Sequence, residues 1–109
     1  MNKTPDRQLV SLVLDEIEEE LRSLGLWQDE SSRPAPEAFS STIPFCLDTM
    51  QFHEWLQFIF IPKMKDVLEK EGVLPDRVLI HTMAEEIYRG KWARFRKLIV
   101  ALKKLDELF

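Results

Sequence analysis

Residues 79–109 read LIHTMAEEIYRGKWARFRKLIVALKKLDELF. From Ile80 onward, Met83, Ala84, Ile87 and Tyr88 recur at spacings of three and four, with Leu79 beside them. That spacing puts them on one face of a helix. Arg89-Gly90-Lys91 interrupts the pattern. Trp92, Phe95, Leu98, Ile99, Leu102, Leu105 and Phe109 then carry a second apolar stripe. No stretch alternates apolar and polar residues as a half-buried strand does. Two successive amphipathic helices must bury their stripes against other helices.

Working outward, Val10, Val13, Leu14, Ile17, Leu21 and Leu24 mark a first helix over residues 5–24. Thr4 is its expected N-cap and Pro5 its first helical residue. Gly25 ends it. A second helix runs from a cap at Asp48 or Thr49 through Met50, Phe52, Trp55, Leu56 and Met64 to Leu68, with Gly72 after it. Glu54 lies near its positive end. Pro62 removes one backbone hydrogen bond, so a kink is expected near Phe58–Ile61. Residues 27–47 contain Pro34 and Pro36 and show no period. A connection of about 20 residues is long for a small domain. Phe39, Ile43, Phe45 and Leu47 predict that its second half packs down across the helices. The expected architecture is all-α: a four-helix bundle with a long loop between helices 1 and 2, forming one domain over residues 1–109.

Composition narrows the function classes. The 109 residues are 45% hydrophobic and 31% charged, which suits a folded globular chain. The net charge of −4 argues against a wholly basic nucleic-acid binder. A single cysteine excludes a disulfide framework and a multi-cysteine metal site. The three glycines leave no glycine-rich nucleotide loop. No apolar h-region follows Lys3, and the longest apolar run, Trp55–Ile61, is far short of the ~20 residues of a membrane span. The cytosol is the expected compartment, and no cofactor, metal or membrane is expected.

Few residues suggest catalysis. His53-Glu54 followed by Gln57 resembles a zinc-protease helix motif, but a carboxamide stands where the second histidine ligand belongs. His81 and Glu85 are four apart, the spacing of an ordinary helix-surface pair. Cys46, between Phe45 and Leu47, reads as a small buried hydrophobe. More informative is the basic run: Arg89, Lys91, Arg94, Arg96, Lys97, Lys103 and Lys104 occur with no acid among residues 89–105. On a wheel of ~100° per residue, Arg94, Arg96, Lys97, Lys103 and Lys104 lie opposite the apolar stripe. They are a candidate anion-binding face, which would make the chain an RNA-associated helper; they equally suit pairing with the acidic face of a neighbouring helix, or complementing the helix C-terminus. Helix 2 is apolar nearly all round. Either the long loop covers the excess or another chain does, whether a second copy or a different protein.

Pro44-Phe45-Cys46-Leu47-Asp48-Thr49-Met50, Glu54-Trp55-Leu56-Gln57, Ile61-Pro62-Lys63-Met64 and the ending Lys104-Leu105-Asp106-Glu107-Leu108-Phe109 together resemble the bacterial YqcC-like family. Phe58 and Lys63 stand where that family's pattern carries Trp and Arg. The resemblance implies a small all-helical domain of unassigned biochemistry, linked by gene neighbourhood and naming to the tRNA pseudouridine synthase TruC. It implies an accessory protein partner of that enzyme, with any tRNA contact indirect. It does not imply the synthase itself, which needs a catalytic aspartate in a larger α/β domain. The expected partner-binding residues are Asp48, Thr49, Glu54, Trp55, Gln57, Phe58 and Lys63, with Trp55 or Phe58 as the apolar anchor.

Overall fold

Asp6 opens the first helix, α1 (Arg7–Ser23). Its carboxylate accepts from the Gln8 N–H at 3.0 Å and the Leu9 N–H at 3.2 Å, pairing donors that a helix start leaves free. The computed structural model describes residues 5–109, so the cap expected at Thr4 lies outside the described residues. Pro5 precedes α1 instead of lying within it. Val10, Leu14, Ile17 and Leu21 form the buried stripe. Gly25 takes φ 73°, and the chain turns back with Leu26 N–H on Leu21 O and Gly25 N–H on Arg22 O.

The long connection is built from short 3₁₀ turns, Glu30–Ser32, Pro36–Ser40 and Pro44–Cys46. Pro36 and Pro44 open two of them, where a missing N–H costs nothing. Phe39 and Phe45 pack down as expected, but Ile43 and Leu47 stay exposed.

The second helical segment is continuous but not uniform. It comprises α2 (Phe52–Trp55), one π-helical turn (Leu56–Phe60) and α3 (Ile61–Glu69). Its N-cap is Gln51, neither Asp48 nor Thr49, and the Glu54 carboxylate accepts from the Gln51 N–H at 2.8 Å. Asp48 and Thr49 serve the loop. Asp48 accepts from the Ser41 hydroxyl, and the Thr49 hydroxyl donates to Ala38 O at 2.7 Å. Where a kink was expected there is a widened turn, with the Ile61 N–H reaching back five residues to Leu56 O. Pro62 cannot continue the regular ladder, and a π turn absorbs the mismatch. Leu56, Gln57 and Phe58 are buried consecutively, Leu56 in the core and the next two against the loop.

α4 (His81–Ile87) and α5 (Trp92–Glu107) follow. α5 packs on α1 and α4, and α3 packs on α1. Phe95, Leu98, Ala101, Leu102 and Leu105 supply the α5 side of the core, with Tyr88 stacked on Phe95 at 3.8 Å. Trp92 is exposed, its indole N–H on Glu85 O at 3.3 Å, so it is not part of the core stripe. The start of α4 is capped from a distance: Asp106 Oδ2 accepts from the Ile80 and His81 N–H groups, each at 2.8 Å. The architecture is thus all-α with four helical segments, as the sequence predicts.

Candidate protein-docking groove

The apolar surface of helix 2 is divided in two. One side is covered from within the chain. Gln57, 7% exposed, grips the start of the loop with both ends of its amide: Oε1 accepts from the Gln28 N–H at 2.9 Å, and Nε2 donates to Gln28 O at 2.7 Å. Phe58, 5% exposed, lies under the Arg33 guanidinium, which also covers Phe39 at 4.9 Å from the ring centre. Gln57 and Phe58 are therefore interior residues and present no surface to a partner. A regular wheel of ~100° per residue carries Phe58 outward and does not show that the loop returns over it.

The other side is open. A groove of about 590 Å³ runs between α3 and the segment before α4. Trp55, Ile59, Phe60, Lys63, Met64 and Val67 form its helical wall. Val73, Pro75, Arg77, Val78, Leu79 and Ile80 form the other. Val73 is 91% exposed and Leu79 is exposed as well, so this is an uncovered apolar surface. The second wall was missed by sequence reasoning, because residues 73–78 carry no period and Leu79 and Ile80 were read into the stripe of the next helix, which starts only at His81.

Phe45 joins the groove from the loop. It and Cys46 both adopt positive φ (59° and 50°), a conformation that costs an L side chain roughly 1–2 kcal/mol. The turn sets the Phe45 ring edge-on to Trp55 at 4.8 Å, and Trp55 stacks on Phe60 at 5.3 Å. Trp55 is half-buried in this aromatic cluster, with one edge on the groove. Of the seven expected partner-binding residues, then, Trp55 and Lys63 lie together on the open groove. Thr49 and Glu54 hold local backbone, Asp48 holds the Ser41 hydroxyl, and Gln57 and Phe58 are inside.

The titratable residues are placed as follows. His53 is held below the usual histidine value by burial, partly offset by Glu54. His81 does not pair with Glu85: its Nδ1 lies 2.6 Å from Asp106 Oδ2, beside the cap just described. Cys46 is buried. Among the described residues no group of three or more His, Cys, Asp or Glu side chains is placed to hold a metal, and no helix is long and apolar enough to cross a membrane.

The basic face of α5 is partly engaged inside the chain. Lys104 pairs with Glu16 of α1 at 2.9 Å, and Arg94 donates to Leu24 O at 3.3 Å. Arg96, Lys97 and Lys103 are exposed and make no ion pair among the described residues.

An all-helical protein with an uncovered apolar groove is the class that this geometry defines. The family model DUF446, described as "tRNA pseudouridine synthase C", matches residues 9–108. The chain is 36% identical to the uncharacterized protein YqcC of Escherichia coli over 106 residues, covering 97% of this chain and 94% of that one. An uncharacterized protein of Haemophilus influenzae is 38% identical over 95 residues, 87% of each chain. The solution NMR structure of E. coli YqcC superposes with a TM-score of 0.80 at 32% identity, covering 99% of this chain and 88% of that one. The chain belongs to the YqcC-like family. It is also 39% identical over 84 residues to a tRNA pseudouridine synthase C of Pectobacterium carotovorum, covering 77% of this chain but 22% of that protein.

Proposed function

We propose that this chain is a non-catalytic interaction module, an accessory partner of a tRNA pseudouridine synthase, that docks through the groove formed by helix 2, the loop before it and residues 73–80. The observation that carries the docking reading is the open groove itself, with Trp55 and Phe60 in its wall and Val73 standing free at its lip. Buried aromatics dominate interface energetics, and half-covered ones at a groove edge are ready anchors. The partner assignment draws on the Pectobacterium likeness. There, a segment similar to this chain lies within a much longer protein that bears the synthase name. A module similar to this one within a protein that bears the synthase name fits a role beside such an enzyme.

The test mixes purified full-length chain with the tRNA pseudouridine synthase C of the same cell, free of RNA, in isothermal titration calorimetry. A complex with Kd of about 10 μM or tighter is expected. Val73→Asp changes a side chain with almost no packing to lose, and it should weaken that complex without altering thermal unfolding. Absence of a complex at all accessible concentrations overturns the proposal.

A second reading has its own observation: Arg96, Lys97 and Lys103 are exposed cations with no ion pair among the described residues. They suit contacts to phosphates, and through them a supporting role with RNA. Filter binding to tRNA across a salt series tests this. Replacing all three with glutamine should lower the magnitude of the log–log salt slope by about 2, from ~0.7 per phosphate contact on single strands. Binding without salt dependence eliminates it.

A further inference from the structure

We infer that the groove receives an acidic amphipathic helix of about three turns, supplied by the partner protein. This rests on the docking reading above and specifies the chemistry of the occupant.

Charge is the first support. The residues that line the groove are apolar except for Lys63 and Arg77; among the described residues no carboxylate is in that lining, and Asp76 lies beside it between Pro75 and Arg77. That lining is against the average for a chain with 19 acidic residues and a net charge of −4. The acids lie elsewhere: Asp15 and Glu16 on α1, for example, pair with Lys65 and Lys104. Lys63 and Arg77 are exposed and make no ion pair among the described residues. Two unspent cations beside an apolar trough attract an apolar segment flanked by carboxylates and disfavour one flanked by lysines.

Length and backbone argue for a helix. The helical wall runs from Trp55 to Val67, roughly 18 Å at ~1.5 Å per residue, which matches about twelve residues of a docked helix. The facing wall is not helical, but Pro75 within it has no N–H, so a regular ladder of strand-addition bonds is broken there. Helix-in-groove docking needs only apolar anchors at i, i+4 and i+7.

A second copy fits less well. The matching acidic helix on this chain is α1, whose outer face exposes Leu9 and Leu12 beside Asp15 and Glu19. A groove of one copy taking the α1 face of another is a heterologous contact, which grows into rings or open assemblies.

The experiment uses the full chain and a fluorescein-labelled peptide of about 14 residues, with Leu or Phe at i, i+4, i+7 and i+11 and Glu at the flanking positions. A sister peptide carries Lys in place of every Glu. Fluorescence anisotropy should show the acidic peptide binding at least about tenfold tighter than its sister. The double variant Lys63→Glu/Arg77→Glu should reverse that order, with unchanged urea unfolding. Equal affinities, a preference that survives the double variant, or no binding at about 1 mM overturns the inference. So does concentration-dependent self-association that the double variant abolishes, which assigns the groove to a second copy. The two proposals fail separately. A synthase complex untouched by the double variant leaves the accessory reading standing and removes the groove chemistry. Peptide discrimination without any synthase complex does the opposite.

Discussion

Replacing Gln57 with leucine removes both hydrogen bonds to Gln28 and leaves a side chain of similar volume in a site only 7% exposed. The Gln28 N–H and C=O then keep their partly buried positions without partners. A net hydrogen bond is worth about 0.5–1.5 kcal/mol, and an orphaned buried group costs about 1–3 kcal/mol. Partial access of water and the added apolar contact of leucine act against the upper end. The expected loss is about 2 kcal/mol, a sizeable part of the ~5–15 kcal/mol available to a domain of this size. Urea unfolding followed by far-ultraviolet circular dichroism measures it by linear extrapolation. Hydrogen exchange supplies the second readout: amides of residues 28–40 should lose protection more than those of α1 and α5, because the clamp holds the loop and not the core. Gln57→Glu sharpens the test through its sign. A carboxylate there faces Gln28 O, and burial with that carbonyl raises its folded pKa above the ~4.3 of an unfolded glutamate. The folded state then binds protons more readily, so this variant gains stability as pH falls and loses it as pH rises through the raised folded value. A Gln57→Leu variant within about 0.5 kcal/mol of the parent, with unchanged exchange in the loop, refutes the clamp.

Asp106→Ala removes the acceptor shared by the Ile80 N–H, the His81 N–H and the His81 ring. It should cost about 2–4 kcal/mol in urea unfolding, with Asp106→Asn recovering part of the loss. Burial pushes the Tyr88 phenol up to about 12, with Arg94 acting in the lowering direction, and its hydroxyl has no hydrogen-bond partner among the described residues. The unfolded chain therefore releases that proton first, so stability should fall as pH rises from the unfolded value of 10.0 toward 12, and Tyr88→Phe should flatten that decline while leaving stability at neutral pH equal or higher. Lys104→Gln breaks an exposed pair with Glu16 and should change stability by less than about 1 kcal/mol, a difference that 1 M salt erases in the same unfolding assay.

Where periodicity was regular, the sequence was readable. The α1 stripe of Val10, Leu14, Ile17 and Leu21 and the α5 stripe around Leu98, Leu102 and Leu105 are buried as their spacing predicts, because each helix presents one side to the core. Capping was less readable. Glu54 was expected near the start of helix 2, but Gln51 is its N-cap in place of Asp48 or Thr49, Asp6 caps α1, and Asp106 caps α4 from 26 residues away. A cap supplied through tertiary contact leaves no mark near the helix that it closes. The basic run of α5 shows a similar limit: composition identified the cations, but only packing against α1 separates Lys104, which is paired, from Arg96, Lys97 and Lys103.

Helix 2 shows why its site was only half legible. An apolar residue in a sequence says that a side chain seeks cover, not whether its own chain supplies the cover. With a regular helix, Gln57 is a polar surface residue and Phe58 an exposed anchor. The loop changes that assignment: Gln28 and Arg33 meet Gln57 and Phe58 and cover them. Trp55, Phe60 and Lys63 line the open groove, with Phe45 of the loop beside Trp55. The widened turn lies directly before Pro62. Pro62→Ala restores an N–H and a route to a regular helix. If that variant keeps Phe58 buried, as read from unchanged protection of the loop amides, then packing of Leu56, Gln57 and Phe58 holds the π turn by itself. If protection is lost together with the acidic-peptide preference, the proline is the cause of both the covered face and the open one.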